Sequence, residues 1–191
     1  MINFYIPNRL KDEKVILILR RHWFVMFKKI VLWFFVGLIP LIFYLLIQQM
    51  VDDLMQNSAV YAITVLALSA YYLFVWLFFF YSFVDYYLDV WIVTNERIIN
   101  IEQRGLFNRT ISEQRLNRIQ DITSEMKGFF STMLSYGYVY IQTAGEVQRF
   151  VFEEIPQPQN AAKKIMMIVE EYKKFHRLLE EDDKIVAHPK K

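Results

Sequence analysis

Cysteine is absent from all 191 residues. That excludes disulfides, thiol nucleophiles and cysteine-ligated metals, while saying little about compartment. Histidine is scarce. His22, His176 and His188 lie far apart, without the spacing of a metal-ligand set. Glycine and proline number five each, and no phosphate-binding loop, dinucleotide-binding glycine pattern, nucleophile elbow or zinc-binding helix can be assembled from them. Residues 85–191 hold 15 basic and 16 acidic side chains, so the positive footprint of a nucleic-acid binder is missing. The most informative absence is of charge itself. Ala59–Val84 runs 26 residues without Asp, Glu, Lys or Arg, and Ile30–Ile47 adds another 18.

What fills those runs is apolar, and hydrophobic residues make up 55% of the chain. At about 1.5 Å per residue the longer run makes a helix of roughly 39 Å and the shorter one of roughly 27 Å, against a hydrocarbon core of about 30 Å. Both are expected to span a membrane, with Pro40 kinking the first. The first run begins too late and is too long for a cleaved leader. Arg9, Lys11, Lys14, Arg20, Arg21, Lys28 and Lys29 precede it against only Asp12 and Glu13, and the linker 48–58 carries Asp52 and Asp53 without a basic residue. The positive-inside rule then places both termini in the cytoplasm and the linker outside. Neither run contains an ionisable residue that would mark a proton or ion path, which argues against a transporter acting alone.

Val15–Leu19 is an aliphatic run followed by Arg20-Arg21-His22-Trp23. It reads either as a membrane–water interface, with Arg20, Arg21, Trp23, Lys28 and Lys29 meeting headgroups, or as a short strand or helix of a soluble part with solvated arginines. From Tyr87 the texture changes to period-two alternation. Strands are expected over 87–93, 97–103, 106–113, 116–125, 137–143 and 147–154, with a tight turn at Ala144-Gly145-Glu146. Four of the five glycines fall between 105 and 145, at these breaks. Pro158 then opens a helix whose apolar stripe is Ala161, Ile165, Ile168, Tyr172, Phe175 and Leu179.

Two groups stand out as binding candidates. Arg97, Arg104 and Arg109, with Arg115 and Arg118, offer cations to anionic headgroups or lie along solvated strand edges. The stretch Gly128–Leu134, with Phe129, Phe130, Met133 and Leu134, is apolar between strands and suits a lipid, a partner or its own domain.

Val93-Thr94-Asn95-Glu96-Arg97-Ile98, Gly105 with Phe107 and Arg109, Leu116-Asn117-Arg118-Ile119-Gln120-Asp121-Ile122, Tyr136-Gly137 with Thr143-Ala144-Gly145, and Pro158 follow one another after an apolar hairpin. Over roughly residues 85–178 this order resembles the bacterial pleckstrin-homology-like family of small membrane proteins. Arg20-Arg21-His22-Trp23 also looks like the segment that precedes the hairpin in such proteins. The resemblance implies two nearly orthogonal sheets with one helix capping an open end, and by itself implies no function. Phosphoinositide-binding relatives in eukaryotes carry several Lys and Arg around the first strand–strand loop. Here that loop, Thr94–Arg97, offers Arg97 beside Glu96, which argues against inositol-lipid recognition.

The expected fold class is therefore an α+β membrane protein: a two-helix transmembrane hairpin, then a pleckstrin-homology-like β-barrel or sandwich with one C-terminal capping helix. Residues 1–29 form a cytoplasmic or interfacial segment, 30–84 the hairpin, 85–179 the domain and 180–191 a disordered tail. The expected role is a non-enzymatic interaction module at the cytoplasmic face, binding a protein or lipid partner or its own copies. The alternative is an accessory subunit of a membrane transport or envelope-stress complex, packing through Ala62, Ala67, Ser69 and Ala70. No cofactor, metal, nucleic acid or small-molecule substrate is expected.

Overall fold

The computed structural model describes residues 9–10, 12–143 and 150–187, so the expected turn at 144–146 and residues 188–191 lie outside it. The chain forms two compact units. One comprises residues 1–22, 89–102 and 109–191, and the other residues 23–88 and 103–108.

The first unit is built on two sheets. β1 (Val15–Arg20), β2 (Val90–Thr94), β3 (Arg97–Arg104) and β4 (Asn108–Arg115) lie side by side in that order. β5 (Ile119–Glu125), β6 (Tyr136–Thr143) and β7 (Phe150–Pro156) make the second sheet. Of the two readings open for Val15–Leu19, the strand is the one observed. It pairs antiparallel with β2, Leu17 opposite Val93 and Leu19 opposite Trp91. The domain therefore starts before the helix pair, and the expected boundary at residue 85 is corrected. Of the expected barrel or sandwich, the barrel is corrected: the two sheets are separate, and the chain passes from one to the other at a 3₁₀ turn, Leu116–Arg118, between β4 and β5.

Alternation explains why β2 is buried on both faces. Trp91 and Val93 join Ile98, Leu116, Ile119, Val139, Ile141, Phe152 and Ile155 in the core between the sheets. Val90 and Ile92, opposite Ile101 and Ile99, form a second buried cluster on the other face. Each such side chain contributes about 1.5–3 kcal/mol by leaving water. α4 (Pro158–Ala187) closes the core with Ala161, Ala162, Ile165 and Val169, and Ile168 and Tyr172 pack against it; Phe175 and Leu179, the far end of the expected stripe, are exposed. It runs on to Ala187, so the tail expected to be disordered from 180 is helical to that point. No Gly or Pro interrupts it before Pro189.

The second unit holds α1 (Trp23–Met55) and α2 (Ser58–Leu88). Helix begins at Trp23, ahead of the expected Ile30, and fills most of the expected linker, leaving Gln56-Asn57 between the two. The backbone departs from helix at Ile47 (φ −125°), beyond Pro40. Asn57 Oδ1 accepts from the Ala59 amide at 3.0 Å and caps α2. α2 continues to Leu88, past the expected strand start at Tyr87, and Phe83 stacks on Tyr87 one turn later. The helices meet through Trp33 stacked on Phe78 (6.0 Å), Tyr71 Oη donating to Val36 O (2.6 Å) and Lys29 Nζ donating to Ser82 O (3.1 Å).

The β3–β4 tip belongs to this unit. The Gly105 amide donates to Asp85 Oδ1 at 2.8 Å, and Gln103 Nε2 donates to Gly105 O at 2.5 Å. Gly105 has φ +79°, and a Cβ there would lie 3.0 Å from the Tyr81 ring. Backbone conformation and close approach both require glycine.

Candidate interaction surfaces

Arg97, a candidate for headgroup contact, is spent inside the domain. Its Nε and Nη2 donate to Glu13 Oε1 (2.9 Å) and Oε2 (3.0 Å), and Nη1 pairs with Glu113. Thr94 Oγ1 donates to the same Glu13 carboxylate at 2.9 Å and accepts from the Arg97 amide. Glu13 is fully buried. Burial opposes its charge, yet the hydrogen bonds from Arg97, the Leu10 amide and Thr94, with the Arg97 charge, hold its carboxyl below the ordinary range. The Glu13 bonds hold Arg97 more firmly protonated against the pull of burial. The pair ties the chain before β1 to the β2–β3 turn, so the lone arginine of that loop is structural.

Arg21 has the same fate. It pairs with Asp89 (2.9 Å), Glu153 (2.7 Å) and Glu154 (3.7 Å). Beside it His22 stacks on Tyr136 at 5.2 Å, and burial pushes its imidazole below the ordinary value. Arg20 is half-buried at the end of β1. Sequence reasoning missed the partners Glu13, Asp89 and Glu153. They lie far along the chain from the arginines they meet, and no local spacing points to them.

The remaining candidates sort into helix, knuckle and tip. Trp23 is exposed and packs edge-on against Phe24 and Phe27, Lys28 lies 5.9 Å above the Phe24 ring, and Lys29 bridges the two helices. Gly128–Leu134, expected as a loop, contains a one-turn helix, α3 (Phe129–Met133), entered through Gly128 at φ +96°. Its burial is inverted. Ser131 is inside, while Phe129, Phe130 and Met133 are exposed and Leu134 is half-buried. Arg104 and Arg109 are exposed at the β3–β4 tip, where Phe107 is 98% exposed and Leu106 lies beside it. Phe107 lies between Gly105 and Arg109 at a turn, which is the sequence signal for an exposed tip.

On the helix pair, Pro40, Phe43, Ile47, Val60, Thr64 and Leu68 line an open groove of about 670 Å³. Ala62, Ala67, Ser69 and Ala70 are exposed. Among the described residues no three acidic or histidine side chains gather as metal ligands would.

A family model described as bacterial PH domain matches residues 32–181, most of the chain. The chain belongs to the bacterial PH domain family. The match starts inside α1, so β1 of this bacterial PH protein lies upstream of the matched region. Among solved structures it is similar to a DUF1696 family protein with a pleckstrin-homology domain from Shewanella loihica PV-4. That likeness has 17% identity, covers 44% of this chain and 69% of the other, and has a TM-score of 0.34. No curated protein matches it.

Proposed function

We propose that this bacterial PH protein is a membrane-anchored interaction module whose domain works at the cytoplasmic face, holding a protein partner, a lipid surface or its own copies by binding rather than catalysis. The observation that carries the reading is the place of the helix pair in the chain. It follows β1 directly and precedes β2 directly, and those strands pair in register. Both outer ends of the pair must then lie on one side, which is the geometry of a two-span hairpin. Both helices are long and apolar enough to cross a membrane, and the most apolar 18-residue stretch of each has no buried residue. The inverted α3, with three large apolar side chains in water, supplies a contact surface on the domain.

The chain has no cysteine, so single cysteines report topology cleanly. Asn57→Cys is expected to react with an impermeant maleimide in intact cells, and Lys190→Cys only after permeabilisation. The reverse pattern, or reaction of both in intact cells, overturns the placement. In mild detergent the protein is expected to run as a discrete oligomer or with a retained partner, and Phe129→Ser with Phe130→Ser is expected to loosen that assembly. A strictly monomeric, partner-free species removes the protein-partner and self-assembly roles and leaves only the lipid surface.

The helix-pair groove favours a second reading, an accessory subunit of a transport or envelope-stress complex in which another spanning helix occupies it. Thr64→Trp should then block assembly, and Ala67→Leu with Ala70→Leu should weaken it. An unchanged complex in both variants counts decisively against this reading.

A further inference from the structure

We infer that the β3–β4 tip is a second, lipid-facing foot of the protein: Phe107 and Leu106 enter the interfacial zone of the bilayer, and Arg104 and Arg109 meet anionic phospholipid headgroups there. This rests on the reading that α1 and α2 span the membrane.

The level of the tip is set by α2. Asp85 is the first charged residue after Ala59–Val84, and a carboxylate is excluded from hydrocarbon, so Asp85 stands at or beyond the headgroup boundary. Tyr81 lies one turn earlier, in the zone where tyrosine rings collect. Gly105 touches both. Its amide donates to Asp85 Oδ1 at 2.8 Å, and the Tyr81 ring stands 3.0 Å from the place a Cβ would take. The tip is therefore clamped within one turn of the hydrocarbon edge. Two residues of chain reach about 7 Å at most, and interfacial apolar side chains are buried about 5–10 Å into the headgroup and acyl boundary. Phe107 is within that reach, and it is the most exposed large apolar side chain described.

A phenylalanine 98% exposed to water gains nothing from the protein around it, whereas the interface rewards it. The two flanking arginines are exposed, carry charge of the sign that anionic lipid attracts, and have stems long enough to snorkel to phosphate while Phe107 sits deeper. The tip is also braced. Gln103 Nε2 holds Gly105 O, and glycine takes the φ of +79° at 105 without the strain a side chain would bring. A rigid tip loses little freedom on entering the interface.

The test uses the full chain in vesicles of phosphatidylcholine alone and of phosphatidylcholine with phosphatidylglycerol. Spin labels are placed at Phe107→Cys, at Ala67→Cys within α2 and at Asn57→Cys between the helices. Collision with oxygen, which favours lipid, is compared with collision with a water-soluble nickel chelate. The oxygen-to-nickel ratio at 107 is expected severalfold above that at 57 and below that at 67, and higher when phosphatidylglycerol is present. Arg104→Gln with Arg109→Gln should abolish the phosphatidylglycerol increment. A label at 107 as water-accessible as that at 57, with 67 still in lipid, overturns the lipid-facing tip and leaves the spans standing. A water-accessible label at 67 overturns the spans and this inference together. An unchanged ratio between the two lipid mixtures overturns the headgroup role of the arginines.

Discussion

The two units of this molecule obey opposite burial rules. In the sheet unit, aliphatic side chains such as Ile92, Ile98 and Phe152 are fully shielded, and even a carboxylate, Glu13, is sealed inside with its guanidinium partner. In the helix unit, Leu66, Leu73, Phe34 and Phe74 stand exposed along the outside, with no charge among residues 59–84. On the proposed reading, one chain holds segments matched to two different solvents. In the first, water drives a core together and a stray charge must be paired. In the second, side chains are content outside and only the backbone demands satisfaction, which a helix supplies internally.

That contrast can be tested from its strongest point downward, by denaturation of the full chain in detergent followed through Trp91 and the near-ultraviolet signal of the sheets. Arg97→Met leaves the buried Glu13 without its cationic partner and should cost about 3–5 kcal/mol, whereas Arg97→Met with Glu13→Leu should recover much of the loss. A double variant as unstable as the single would show that the pair's hydrogen bonds to Thr94 and Leu10 matter more than its charge. Phe152→Ala should cost about 3–5 kcal/mol by emptying the site against Trp91, while Phe74→Ala on the outside of α2 should leave the sheet transition unmoved. Equal effects would erase the distinction between the units.

Two glycines make a finer comparison. A Cβ on Gly137 would meet the Glu125 carbonyl oxygen at 2.3 Å, so Gly137→Ala must force β6 from β5 and should cost about 1–3 kcal/mol. Gly37→Ala in α1 meets nothing within 4 Å and should be neutral or slightly helix-stabilising.

Acid supplies the gentlest probe. His22 and Glu13 are both held below their ordinary values, 6.5 and 4.5, so the unfolded chain takes up each proton first. Their contributions are complete above those values and are lost as pH falls, beginning below about 6.5 for His22 and below about 4.5 for Glu13. The midpoint of the sheet transition should fall in that order. His22→Phe should flatten the first fall, and the helical signal of α2, uncharged from 59 to 84, should persist. A midpoint rising between pH 6.5 and 5 would contradict the His22 assignment.

Local patterns were readable wherever one residue's environment repeats along the chain. The uncharged runs, the alternation through β3 and β6 and the α4 stripe from Ala161 to Tyr172 depend on period alone and stand in the structure, whereas Phe175 and Leu179, further along that stripe, are exposed. What could not be read depends on partners distant in sequence. Val15–Leu19 has the composition of either a strand or an interfacial segment, and what decides is its ladder with Val90–Thr94, on the far side of two helices. Arg97 and Arg21 look like surface cations until the carboxylates that take them are in place. α3 was hidden for another reason. A single turn gives no period to detect, and its outward phenylalanines contradict the inward rule by which elements are recognised.

If the helices insert as proposed, the pairing of β1 with β2 gives the fold a proofreading step. During synthesis β1 emerges first and has no neighbour until both helices and then β2 have followed. A chain that inserts as proposed but leaves α2 uncrossed would strand β1 and β2 on opposite faces of the bilayer. Five register positions would stay open, and Glu13 would never meet Arg97. Only a chain whose hairpin has returned can close its first sheet, so a misinserted copy betrays itself as an unfolded domain, exposed to the proteases that clear such copies.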